Sequence, residues 1–195
     1  MSRARPPGSP PGGLLTRRTA LRSLALGGAG ALALLAAAPP ARAGAATTRR
    51  IVLHNTHTLE SLAVDYCQDG GYCPPALVAV NQVLRDHRNG AVHPIDPALL
   101  DLLHAAAGRC GRDAEFEVIS GYRSPESNAA MHARSAGVAA HSLHMEGRAI
   151  DVRLVGCDLA RLRDAGLALG GGGVGYYRGP QFVHLDTGRV RTWVG

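Results

Sequence analysis

Hydrophobic positions in residues 44–195 change period several times, and each change marks a short strand or helix. Residues 50–55 form a β-branched run that predicts a strand, and residues 60–66 alternate apolar with polar, as a second, paired strand would. Leu77, Val80 and Leu84 share one helical face, so residues 75–88 are expected to be helical with proline just inside the start. Asp96 and Pro97 supply a cap and a first-turn proline for a helix through about Ala107. Residues 115–120 predict a strand, 125–134 a helix capped by Ser124, and 149–154 a strand. Asp158 opens a helix to about Leu169, which the glycine run 170–173 ends. Residues 174–177 and 182–186 predict a hairpin around Arg178-Gly179-Pro180. The pattern is α+β, without the regular strand–helix alternation of a doubly wound parallel sheet.

The first 43 residues have a different character. Residues 1–22 are rich in Pro, Gly and Arg, and residues 23–38 form an apolar run of 16, chiefly Ala, Leu and Gly. That is shorter than the roughly 20 apolar residues of a membrane span. The run ends at Pro39-Pro40 and the small-residue pattern Ala41-Arg42-Ala43, which is expected of an export signal with its cleavage site. The pair Arg17-Arg18 resembles a twin-arginine signal, which implies the twin-arginine export machinery as a partner and export of a folded chain. Residues 1–43 are read as that signal and 44–195 as one exported domain, placed in the periplasm or cell envelope. Its 152 residues are enough for a core of its own.

Charge follows the same division. The chain carries a formal +6, with 21 Arg and no Lys against 15 acids. Six of the arginines lie in the acid-free residues 1–43, leaving 15 Arg against 15 acids beyond them. A neutral domain removes the argument for a nucleic-acid partner. All four cysteines, Cys67, Cys73, Cys110 and Cys157, fall in this domain, and an even count in an exported chain predicts disulfides. A bridge from Cys67 to Cys73 across Gln68-Asp69-Gly70-Gly71-Tyr72 would leave Cys110 with Cys157. Zinc binding by these cysteines is the rival, although their spacing is unusual for it.

The densest polar cluster lies at 141–152. In the strand 149–154, Ile150, Val152 and Leu154 share one face while Asp151 and Arg153 share the other. His144 stands close enough upstream, with Gly147 between, to fold back over Asp151. In 182–186 the same alternation places His184 and Asp186 opposite Val183 and Leu185. If the two strands are neighbours, His144, Asp151 and His184 converge. Two imidazoles and a carboxylate form a plausible zinc set, and three protein ligands leave a position open for chemistry. Of the seven other histidines, His54, His57, His87, His93, His104 and His132 are left without a metal role.

Several ordered motifs are similar to those of the zinc D-alanyl-D-alanine peptidases, a group that shares its fold with hedgehog signalling domains. Ser142, His144, Gly147, Ala149 and Asp151 match the metal motif S-x-H-x-x-G-x-A-x-D. Residues 119–125, I-S-G-Y-R-S-P, and 173–186, G-V-G-Y-Y-R-G-P-Q-F-V-H-L-D, match the flanking segments. Residues 53–62 and 84–88 more narrowly resemble the murein endopeptidase K group. The resemblance implies a small antiparallel sheet carrying the metal site, with helices packed on the other face. It implies one zinc held by His144, Asp151 and His184. Arg123 would contact a substrate carboxylate of a peptidoglycan stem peptide, on diaminopimelate or terminal D-alanine, and Ser142 would hydrogen-bond substrate. The activity implied is hydrolysis of amide bonds in peptidoglycan cross-links. Carboxypeptidase action and a non-catalytic, zinc-stabilised murein-binding domain remain the alternatives.

The sequence departs from its relatives at the general base. The position three before the last metal histidine, commonly acidic or His, is Gln181, whose amide cannot take a proton. The position two before it is Phe182. Asp186 and His141 are therefore the candidate catalytic groups, with orientation of a ligand as the other role open to Asp186.

Overall fold

The structure, a computed structural model, describes residues 47–135 and 137–195. The predicted signal at 1–43 lies outside the described residues.

The elements in chain order are β1 (Thr48–Asn55), β2 (Ser61–Gln68), β3 (Gly71–Tyr72), α1 (Pro74–Val83), α2 (Pro97–Arg109) and β4 (Glu115–Ser120). They continue with α3 (Pro125–His132), a 3-10 helix (Leu143–Glu146), β5 (Ala149–Leu154), α4 (Leu159–Leu169), β6 (Gly173–Tyr177), β7 (Phe182–Asp186) and β8 (Arg191–Val194). The strands form one sheet in the order β3-β2-β1-β4-β5-β7-β6-β8. β1 runs parallel to β4, and β6 parallel to β8; the other pairs are antiparallel.

The sheet therefore differs from the small antiparallel one expected. β3 and β8, with two and four residues, are too short to announce themselves by periodicity. The parallel pairing of β1 with β4 needs a crossover, which α1 and α2 supply. α1 ends at Val83, earlier than its apolar spacing suggested. Beyond it Asp86 turns the chain, its backbone N–H donating to the Ala91 carbonyl and its carboxylate accepting from the Arg88 N–H. α2 begins as predicted, with the Asp96 carboxylate accepting from the Ala98 N–H at 2.9 Å.

One face of the sheet carries the core. Ile51, Leu53, Phe116, Val118, Ile150, Val152, Val174, Val183 and Leu185 are all buried there, with Leu99, Leu100 and Leu103 of α2 and Leu162 of α4. α2 and α4 pack on one another and α4 against β5, β6 and β7, while α1 covers β2. Burying a side chain of this kind contributes about 1.5–3 kcal/mol, so this face fixes the register of the site strands. The opposite face of β5, β7, β6 and β8 is left for polar chemistry.

The expected disulfides are absent: all four cysteines are free thiols. The β2–β3 register places Tyr72, rather than Cys73, opposite Cys67. The Cys67 sulfur instead accepts a hydrogen bond from Arg49 at 2.8 Å. Cys110 and Cys157 are neighbours, but their thiols donate to the Arg161 and Asp158 carbonyls, and burial pushes the Cys110 thiol up to about 11.

Candidate metal centre

β5 and β7 are direct neighbours, with Asp151 opposite His184. Alternation along both strands turns these two side chains to the open face, as the sequence pattern requires. His144 comes from the 3-10 helix, whose N-terminus Ser142 caps by accepting from the His144 N–H at 3.4 Å. That helix ends at Gly147, in the left-handed conformation at φ 65°. A side chain there would also run into the Pro94 carbonyl, so glycine is required for both turn and clearance. His144, Asp151 and His184 are all buried, and one donor atom from each lies within 4.8 Å of the others.

The hydrogen bonds around this trio settle the tautomers. His144 Nδ1 lies 2.7 Å from the Gly121 carbonyl, which can only accept, so Nδ1 carries the proton and Nε2 keeps its lone pair. His184 Nε2 lies 3.0 Å from Asp186 Oδ2, so that nitrogen donates and, in the neutral ring, Nδ1 keeps its lone pair. His184 Nδ1 then faces Asp151 Oδ1 at 2.8 Å and His144 Nε2 at 3.3 Å. Three lone pairs aimed at one another in a buried space repel unless a proton or a metal cation lies between them. The donor set, two imidazoles and a carboxylate, fits zinc. Each imidazole also has the acceptor behind it that metal-binding histidines usually have.

Without a metal, the electrostatics respond to the same crowding. Burial holds His144 below the ordinary histidine value despite attraction from Asp151. Burial acts the same way on His184, but hydrogen bonds to Asp151 and Asp186 prevail and raise it. Burial opposes ionisation of Asp151 and Asp186, yet the histidines, and for Asp186 also Arg191 and two backbone N–H groups, hold both far below the usual carboxylate range.

Asp186 is fully buried behind His184. Oδ2 accepts from His184 and from Arg191 Nη2 at 2.7 Å, while Oδ1 accepts from the Gly173 N–H, the Gly188 N–H and Arg191 Nη1 at 2.9, 2.8 and 3.1 Å. Five bonds fill the carboxylate, on the side of His184 away from Asp151. The backbone of β6 makes room for this arrangement. A side chain at Gly173 would collide with Asp186 and Arg191, and one at Gly175 would lie 2.6 Å from the Trp193 ring. The last glycine of the run thus does more than end α4: Gly173 and Gly175 together leave one face of β6 bare.

The trio lines a cavity of about 540 Å³. Arg123, His141, Ser142, Tyr177, Phe182, Arg191 and Trp193 are in its walls. Trp193 stands 5.1 Å from His184, ring to ring, and donates from Nε1 to the Tyr177 hydroxyl at 2.8 Å. Tyr177 stacks on Phe182 at 4.5 Å, completing an aromatic wall. His141 is exposed at the rim. Gln181 has a φ of 61° at the β6–β7 turn and is not among the cavity-lining residues.

Arg123 is buried in the cavity lining, and its backbone N–H donates to the His144 carbonyl at 3.1 Å. Burial draws the guanidinium below its ordinary value, partly offset by attraction to Asp151. Sequence reasoning passed over the residues that hold this wall. The Tyr122 N–H donates to the Leu84 carbonyl, and the buried Asp86 carboxylate accepts from the Ser124 N–H at 2.9 Å. Asn128 accepts from Arg123 Nη1. Asp86 falls in the segment 84–88 noted for its resemblance, but nothing there ties it to Ser124, and the one signal for Asn128 was its place in the helix that Ser124 caps.

Residues 43–193 match the family described as peptidoglycan L,D-endopeptidase MepK. The chain is 41% identical over 172 residues, 87% of its own length and 94% of the relative's, to the peptidoglycan L,D-endopeptidase MepK of Escherichia coli K12. It is 40% identical over 148 residues, 75% and 80% of the two lengths, to the probable peptidoglycan L,D-endopeptidase MepK of Haemophilus influenzae. No solved structure matches the chain. The matched stretch contains every strand that builds the cavity and every residue of the buried trio, and the chain therefore belongs to the peptidoglycan L,D-endopeptidase MepK family.

Proposed function

We propose that this protein is a zinc endopeptidase that hydrolyses L,D amide bonds in peptidoglycan cross-links during cell-wall remodelling, outside the cytoplasm, with a fold of the hedgehog/D,D-peptidase type. The observation that carries the proposal is the convergence of three lone-pair donors, His144, Asp151 and His184, in a cavity whose lining also includes Arg123. Names of the relatives supply the substrate class. No described helix is long and apolar enough to cross a membrane.

His144, Asp151 and His184 would hold the zinc. When bound, zinc supplies a Lewis acid that polarises a carbonyl and makes water acidic enough to attack near neutral pH. The protein's own groups do the rest. Arg123 binds a carboxylate of the stem peptide, for which a permanently charged planar fork is suited. Trp193, Tyr177 and Phe182 give the peptide an apolar surface and keep bulk water from one side of the scissile bond. Asp186 fixes the His184 ring and its Nε2–H tautomer, and its five filled bonds favour this role over that of a base. His141, with its imidazole at the cavity rim, is then the remaining candidate to take and return a proton. Ser142 sets the start of the helix that presents His144 and borders the cavity, where its hydroxyl can reach substrate.

The test is release of new amine termini from purified sacculi by the zinc-loaded protein. Wild type is expected to release them and His144→Ala to release none. Tight zinc binding and sacculus binding without any release would establish the non-catalytic alternative instead.

A further inference from the structure

Arg123 makes fewer bonds than its burial calls for. Its residue is 6% exposed. A guanidinium carries five N–H donors. Among the described residues one side-chain bond is made, from Nη1 to Asn128 Oδ1 at 3.2 Å, and Nε is buried with no partner at all. Buried polar groups are nearly always paired, and leaving one unpaired is costly. Nη2 also makes no bond but is not wholly buried, so an acceptor brought by a ligand in the cavity can reach it.

Asn128 decides how Arg123 is held. It is 2% exposed, in the first turns of α3, where its N–H donates to the Ser124 carbonyl at 2.9 Å. Its side-chain oxygen accepts from Arg123, and its Nδ2 donates to the carbonyls of Ala139 and Ala140, both at 3.1 Å. Turning the amide over would set N–H against guanidinium and oxygen against two carbonyls, so the network admits one orientation. Ala139 and Ala140 run directly into His141 and Ser142 of the cavity wall. A single amide therefore joins the guanidinium to the backbone that borders the cleft.

We propose that Asn128 is a positioning residue that aims Arg123 at a substrate carboxylate, so that the site selects stem peptides with that carboxylate free over those in which it is amidated. The substrate class rests on the peptidase reading of this cavity; the selection is tested apart from it. A carboxylate offers two charged acceptors to the guanidinium. A carboxamide offers one neutral acceptor and sets an N–H against an N–H.

The experiment is calorimetric titration of the zinc-loaded protein with a diaminopimelate-containing tetrapeptide and with the same peptide amidated at its diaminopimelate carboxylate. Wild type is expected to bind the free acid at least about tenfold more tightly, the scale of a charge-assisted pair. Arg123→Gln should bring that ratio close to one. Asn128→Ala should weaken the acid by a similar factor and leave the amide unchanged, and it should add nothing in the Arg123→Gln background. A role confined to folding would weaken both ligands alike. Equal binding, or no binding, of acid and amide by wild type overturns the proposal, as does an Asn128→Ala variant whose ratio stays at the wild-type value. If Asn128→Ala does not fold, an Arg123→Gln variant that keeps the preference overturns it equally. Preference for the acid without any amide-bond cleavage would remove the peptidase reading and leave this inference standing.

Discussion

Replacing Asp186 with asparagine separates orientation of His184 from proton transfer. The Oδ1 side receives three donors, the Gly173 and Gly188 N–H groups and Arg191 Nη1, so the amide oxygen would settle there. The NH2 group would then face Arg191 Nη2 and His184 Nε2, replacing two charge-assisted bonds by donor-on-donor contacts. Breaking a buried charge pair on one side costs about 3–5 kcal/mol, and the upper end is reduced here because Arg191 is partly exposed. His184 can escape the clash only by moving its proton to Nδ1, the nitrogen that faces Asp151 and His144. That removes one of the three lone pairs from the metal trio. Zinc affinity, measured against a competing chelator, should fall by about 10–100-fold. Asp186→Asn should also lower the melting temperature of the metal-free protein. Zinc affinity within twofold of wild type, with turnover abolished, would refute the reasoning and make Asp186 the proton acceptor.

Two further predictions use other parts of the structure. Trp193 is the chain's one tryptophan and lies 5.1 Å from His184, so its fluorescence should be quenched when Co2+ is titrated into the metal-free protein. The quenching should vanish in His184→Ala; quenching that persists there would place the metal elsewhere. His87, stacked on His57 at 3.8 Å, is held down to about 4 from 6.5 by burial first and by the positive charge of Arg88 next. A histidine kept neutral by the fold contributes stability in full above its unfolded value of 6.5, and that stability is lost as pH falls from there toward 4. Melting temperatures between pH 7 and 4 should therefore fall more steeply for wild type than for His87→Gln, and coincident curves would contradict the assignment.

Much of this site was legible because strand alternation is a strict rule. Ile150, Val152, Val183 and Leu185 had to share a core face, so Asp151 and His184 had to share the other, and the β5–β7 pairing brought them opposite. Helix starts at Asp96 and Ser124 were equally legible, because proline and a short polar cap leave a local chemical signature. What escaped depended on tertiary pairing. β8 has four residues, and its place beside β6, which brings Arg191 to Asp186 and Trp193 to His184, is set by bare glycines on a neighbouring strand. Asn128 and Asp86 act through side-chain hydrogen bonds that tie separate loops and helix ends together, and no periodicity encodes those. The cysteines misled for a related reason: proximity in sequence between Cys67 and Cys73 is overruled by the register of β2 with β3.

The central claim is that the buried trio holds a zinc ion and that the cavity above it cuts cross-linked peptides. Mass spectrometry of purified cross-linked muropeptides, before and after incubation with the zinc-loaded protein, tests it most directly. Conversion of L,D-linked dimers to monomers with uptake of one water per cut is expected, and no conversion after chelation or in His184→Ala. Dimers that remain intact with stoichiometric zinc bound would contradict it.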